Sequence, residues 1–168
     1  MKRILLAFAA MFAFTFSISA QPSVSFENPD IVFKFKRCVS VGNIAYLDFI
    51  ITKIGSKELV PTVLYDGIQV HSKETKIYDD EGNMYEAEYG REHTIQKIDI
   101  AGQAPDGIKD FDFNLPVGVP LKMRITLAGV DEFATELSLV KVHFLGMNTP
   151  KSYGYAFLQA RNLPITRQ

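Results

Sequence analysis

The sequence predicts an all-β fold, an antiparallel sandwich or barrel, and three observations carry that expectation. Runs in which apolar and polar residues alternate recur along the chain from Ile31 onward, and alternation is the mark of a strand with one buried face. Turn-forming pairs such as Gly42-Asn43 and Asp66-Gly67 separate these runs, as hairpins require. After residue 20 no stretch repeats its apolar residues at helical spacing.

The N-terminus stands apart from that pattern. Lys2 and Arg3 precede an uncharged apolar run from Ile4 to Ile18, and small residues follow at Ser19-Ala20. This is the layout of a secretory signal peptide over residues 1–20, cleaved on export. The run is short of the roughly 20 apolar residues that cross a bilayer. No cysteine follows it to carry a lipid. The expectation is therefore an exported protein, periplasmic or extracellular, with no stable membrane anchor after cleavage. Residues 21–168 make one ordinary domain. Cys38, the single cysteine, has no partner for an internal disulfide, so the apolar core has to hold the fold. Losing Lys2 and Arg3 takes the formal charge from −1 to −3. With no run of lysine or arginine, nucleic acid is excluded as a partner and other polyanions are not expected.

Residues 21–30, polar with two prolines, read as a lead-in. Ile31 to Val41 is the first strand, with Phe33 and Phe35 opposed to Lys34 and Lys36. Gly42-Asn43 turns the chain into Ile44–Ile54, where Leu47, Phe49 and Ile51 share one face and Tyr46, Asp48 and Thr52 the other. Leu59–Tyr65 and Ile68–His71 flank Asp66-Gly67, and Thr75–Tyr78 and Tyr85–Tyr89 flank the acidic turn of residues 79–83. Thr94–Ile100 is a strand candidate whose Ile95 and Ile98 break the alternation. A loop at 101–110 and a short strand from Phe111 to Leu115 precede the turn at Pro116–Pro120. Leu121, Met123, Ile125 and Leu127 then alternate with Lys122, Arg124 and Thr126 in the clearest strand of the chain. Residues 129–136 form a corner with room for one helical turn, Leu137–Leu145 is a strand, 146–152 a loop and Tyr153–Leu158 the last strand.

Several landmarks recur in a suggestive order. They are Phe-Lys-Arg-Cys38, the Gly42-Asn43 turn into Tyr46-Leu47-Asp48-Phe49, the acidic tip from Asp79 to Tyr85, Leu115-Pro-Val-Gly-Val-Pro120, and Gly129-Val-Asp131 before Leu137. Across residues 31–145 this order resembles the small immunoglobulin-like domains of unknown function found in exported bacterial proteins. The resemblance implies an immunoglobulin-like antiparallel β-sandwich outside the cytoplasm and brings no catalytic residue with it. The cysteine pair and core tryptophan of antibody domains are absent.

No motif of known chemistry is present. There is no Gly-x-Ser-x-Gly and no pair of histidines one helical turn apart. His71, His93 and His143 are distant in sequence and read as unrelated surface or edge residues, with His143 facing outward from its strand. Cys38 reads as a small buried side chain. Asp79, Asp80, Glu81 and Asn83 offer hard oxygen ligands within one turn, a calcium candidate, although their spacing is not that of an EF-hand and such residues favour turns anyway. Asp106, Asp110 and Asp112 form a second acidic group. Tyr78, Tyr85 and Tyr89 around the tip are candidates for stacking on a ligand, as are Tyr153, Tyr155 and Phe157; cross-strand pairing is the competing role. The sequence calls for no cofactor. It points to a non-enzymatic binding module for an envelope protein or a glycan, and leaves the oligomeric state open. The rival is a small hydrolase or lyase built on Asp48, Asp99 and Asp112.

Overall fold

A computed structural model describes residues 21–55, 68–87, 92–103, 111–145 and 155–168. They form β1 (Ser23–Phe26), β2 (Ile31–Val41), β3 (Ile44–Lys53), β4 (Ile68–Tyr78), β5 (Met84–Glu86), β6 (Thr94–Ile100), β7 (Phe111–Phe113), β8 (Leu121–Ala128), β9 (Glu136–Leu145) and β10 (Tyr155–Arg167). Among the described residues there is no helix, including in the 129–136 corner.

The sheet is not an open immunoglobulin-like sandwich. Its strands run in the order β10-β2-β3-β8-β6-β5-β4, and β9 pairs with both β4 and β10, so eight strands close into a barrel. β1 and β7 attach at the margins, to β10 and β4. Alternation and hairpin turns are common to sandwiches and barrels. What separates them is long-range pairing, and one strand decides it here. β10 runs antiparallel to β9 from Tyr155 to Pro164, and its last residues run parallel to β2, with Ile165 opposite Cys38 and Arg167 opposite Ser40. The sequence pattern stops this strand at Leu158. Beyond it lie polar residues, Asn162 in the left-handed region (φ 54°), and Pro164, which cannot donate to a ladder. The 21–30 segment likewise is more than a lead-in, since β1 pairs with Leu158–Arg161.

Two bulges explain the irregular alternation. In β2 the register shifts between Phe35 and Arg37, so Lys36 is an extra residue. In β6 it shifts between Ile95 and Lys97, so Gln96 is extra and Ile98 returns to the interior. Bulges of this kind add twist and bend, which closure of a barrel needs. The hairpins at 42–43 and 79–83 fold as expected, with Val41 opposite Ile44 and Tyr78 opposite Met84. Gly42 takes φ +58°, the left-handed setting that the first central residue of a type II′ turn needs. β4 runs through residues 72–74 as one strand. The turn at Asp66-Gly67 lies outside the described residues.

The interior is filled. Leu47, Phe49 and Ile51 from β3, Met123, Ile125 and Leu127 from β8, and Val140, Val142 and Phe144 from β9 are fully buried. Phe26, Phe33 and Phe113 crowd around Phe144 with ring centroids 5.7, 5.5 and 6.2 Å from it. An eight-strand barrel is just wide enough for side chains to fill or to hold one small ligand, and among the described residues apolar side chains fill it.

Candidate functional site

With apolar residues inside, every second residue of β2, β3, β8 and β6 is turned outward. Along one row the pairing places Arg37 beside Asp48, Asp48 beside Arg124, and Arg124 beside Asp99, a ladder of alternating charge across four strands. Asp48 is its hub. Arg124 donates to both carboxylate oxygens, Nε to Oδ1 at 2.7 Å and Nη2 to Oδ2 at 2.9 Å, and Arg37 Nε donates to Oδ2 at 3.0 Å. Lys122 Nζ stands 3.8 Å away. The Asp48 side chain is only 5% exposed while Arg37 is 60% and Lys122 52% exposed. Burial pushes the Asp48 pKa up, but the hydrogen bonds from Arg124 and Arg37 and the charges of Arg124 and Lys122 outweigh it, and the carboxyl sits below its ordinary value. Arg124 also lies over the Tyr46 ring, 5.3 Å from its centroid. Lys34 and Lys36 from β2 and Lys97 from β6 are exposed on the same side.

The acidic tip is a knot of internal bonds. Asp79 is buried; its Oδ1 accepts from the backbone N–H groups of Glu81 and Asn83, and its Oδ2 from Asn83 Nδ2 and the Tyr85 hydroxyl at 2.7 Å. Asp80 turns away from it and accepts from Thr135 and Glu136. Burial raises the Asp80 pKa, and these hydrogen bonds reverse the effect and hold it low. Glu81 is exposed. The turn thus joins Asn83 to Asp79 but does not gather the four side chains around one point, since Asp80 faces Thr135 and Glu136 and Glu81 faces solvent. Among the described residues no group of three or more His, Cys, Asp or Glu is gathered to hold a metal. Tyr85 is fully buried, which removes its ring from any sugar, and burial and its bond to Asp79 push its phenol pKa up. Tyr78 is half-buried in β4, and Tyr89 lies outside the described residues.

The histidines are not all unrelated. His71 and His143 are register partners on β4 and β9. His143 leaves the barrel interior as its neighbours Val142 and Phe144 enter it, yet it is buried, stacked on Phe157 at 4.6 Å. His93 Nδ1 donates to the Gly129 carbonyl at 2.6 Å. Cys38 is buried beside the core, and burial, with the Asp48 charge, pushes its thiol up to about 12, which leaves no thiolate for chemistry. Asp106, Asp110 and Tyr153 lie outside the described residues, as do the side chains of Asp112 and Tyr155. A shallow cleft of about 390 Å³ opens at one barrel end between Ser40, Asn43, Val130, Glu132 and Arg167. Its guanidinium is already committed: Arg167 Nη2 donates to the carbonyls of Asp131 and Ala134, each at 2.6 Å.

The residues that sequence reasoning missed are the cations of the outer face. Lys34, Lys36 and Arg37 lie within four residues of one another, but Lys97, Lys122 and Arg124 come from distant segments. The signal that was available is the alternation in residues 121–127, which already put Lys122 and Arg124 on one side. No family model, no curated protein and no solved structure matches the chain.

Proposed function

We propose that this protein is an exported, non-enzymatic binding module, and that it meets its partner on the outer face of β2, β3, β8 and β6. One observation carries the reading. The barrel interior is packed with apolar side chains, while the outer face carries a ladder of charge fixed around the near-buried Asp48. Rigid, pre-oriented charge on a sheet suits recognition, because little ordering entropy is lost on binding. The signal-like residues 1–20 support export to the periplasm or beyond. The hydrolase reading gains nothing from Asp48, which is held ionised by two arginines and cannot serve as a general acid near neutral pH.

A thermal-shift panel of glycans and peptides tests this, run on the protein and on the Lys34→Glu/Lys122→Glu variant. A ligand that binds the folded state raises the melting temperature by mass action. The expected result is a rise with at least one ligand that is lost in the variant. A rise that survives the variant, or turnover of any panel member, would refute the proposal.

A further inference from the structure

This inference rests on the reading that the outer face is the binding surface. The absence of any lysine or arginine run gives no reason to expect a polyanion, but strand register gathers cations from distant segments, and we propose that the partner of that face is a flexible linear polyanion, a glycan bearing sulfate, phosphate or carboxylate groups. The face brings together Lys34, Lys36, Arg37, Lys97, Lys122 and Arg124 against two carboxylates, Asp48 and Asp99. The whole chain carries a formal charge of −1, so this side is positive on a protein that is otherwise acidic. Such an asymmetry orients an approaching anion toward one side.

Much of the donor capacity on this face is uncommitted. Arg37 uses only Nε on Asp48, which leaves both of its Nη groups for a bidentate contact with a sulfate, phosphate or carboxylate. Lys34 and Lys36 are exposed and enter no ion pair among the described residues. Lys97 and Lys122 reach their aspartates only at 3.9 and 3.8 Å and are each more than half exposed.

Shape selects the class of polyanion. The four strands are consecutive in an eight-strand ring, so the cations are spread over three of its eight interstrand steps. At about 4.8 Å between neighbours, β2 and β6 lie roughly 14 Å apart along the arc. A flat lipid surface meets only the crest of such an arc, whereas a flexible chain laid across the strands follows it. On the crest Ile50 and Tyr46 are half-buried and Arg124 caps the tyrosine ring; the exposed apolar side chains nearest the cations are Val32 on β2 and Ile54, Val117 and Val119 past the end of β3, so the vesicle arm of the test reads whether they serve a bilayer.

The test is a titration of the protein with dextran sulfate at low salt, beside uncharged dextran and beside vesicles of phosphatidylcholine with phosphatidylglycerol. Lys34→Glu/Lys36→Glu removes two contacts at exposed positions, and its melting temperature checks that it folds. Arg161→Glu, exposed on β10 where that strand pairs with β1 and β9, outside the four strands of the face, is the charge control. The expected result is binding of dextran sulfate alone, weakened at least tenfold by Lys34→Glu/Lys36→Glu and less than twofold by Arg161→Glu. The slope of log Kd against log salt should fall by about 1.5 in the double variant, at about 0.7–0.9 per lost ion contact. Equal weakening by both variants, or no binding of dextran sulfate, would overturn the proposal. Vesicle binding that depends on Lys34 and Lys36 would overturn it in favour of a membrane. If dextran sulfate fails while another panel ligand still depends on Lys34 and Lys122, the polyanion is wrong and the binding face stands.

Discussion

Replacing Asp48 with asparagine keeps the shape of the hub and removes its charge. Arg37, Arg124 and Lys122 then face one another across β2, β3 and β8 with no anion between them, and the bidentate bond from Arg124 loses one acceptor. Removing one partner of a buried ion pair costs about 3–5 kcal/mol. Here Arg37 and Lys122 are more than half exposed, so water offsets part of that loss, and we expect about 2 kcal/mol at pH 7. For a chain of this size that lowers the melting temperature by roughly 4–8 °C. The sign with pH follows from the depressed Asp48 pKa. Its contribution is full above the ordinary carboxylate value and is lost as pH falls through the folded value. The gap between wild type and Asp48→Asn should therefore be constant from pH 7 to 5 and close below about pH 4. Asp80, which is also held low, is present in both proteins and cancels. Urea denaturation at several pH values reads the gap directly. A double-mutant cycle with Arg124→Gln should return a coupling of at least about 1 kcal/mol. A loss below about 0.5 kcal/mol at pH 7, or a gap unchanged at pH 3, would refute the hub as described.

Gly129→Ala should destabilise strongly, by about 3 kcal/mol or more, because φ is +72° and a Cβ there would collide with the Glu92 carbonyl; Gly42→Ala, with φ +58° and open space around it, should cost only about 1 kcal/mol, and thermal melts of the two compare directly. Asp79→Ala should lower stability by about 2–4 kcal/mol, since it strands the buried Tyr85 hydroxyl and two backbone N–H groups; the same loss in calcium and in chelator is expected, and a loss confined to calcium buffer would point to a bound ion instead. Cys38 should resist a thiol reagent at pH 8 in the native protein and react on adding denaturant; rapid native labelling would contradict its burial.

The strand content was legible because alternation is a local property. Leu121 to Leu127 and the Gly42-Asn43 and Asp79–Asn83 hairpins could be placed from neighbouring residues alone. The closure of the barrel was not legible, because it depends on Ile165–Arg167 finding Cys38–Ser40 across most of the chain. Nothing local marks that pairing, and Asn162 and Pro164 disguise the strand that makes it. The break at Ile95 and Ile98 was visible but became meaningful only as a bulge. The site divides in the same way. Acidic and aromatic residues near one turn drew attention to Asp79 and Tyr85, which the fold spends on its own hydrogen bonds. The cations of the outer face are scattered over residues 34–124 and meet only through strand register.

The account depends most directly on the barrel being closed by β10 against β2, since closure fills the interior and leaves the outer face for recognition. Nuclear Overhauser contacts in isotope-labelled protein measure this. The account predicts cross-strand contacts between Cys38 and Ile165 and between Ser40 and Arg167, in a parallel pattern. Their absence, with the β2 amides on that side exchanging freely with solvent, would mean an open sheet and would contradict it.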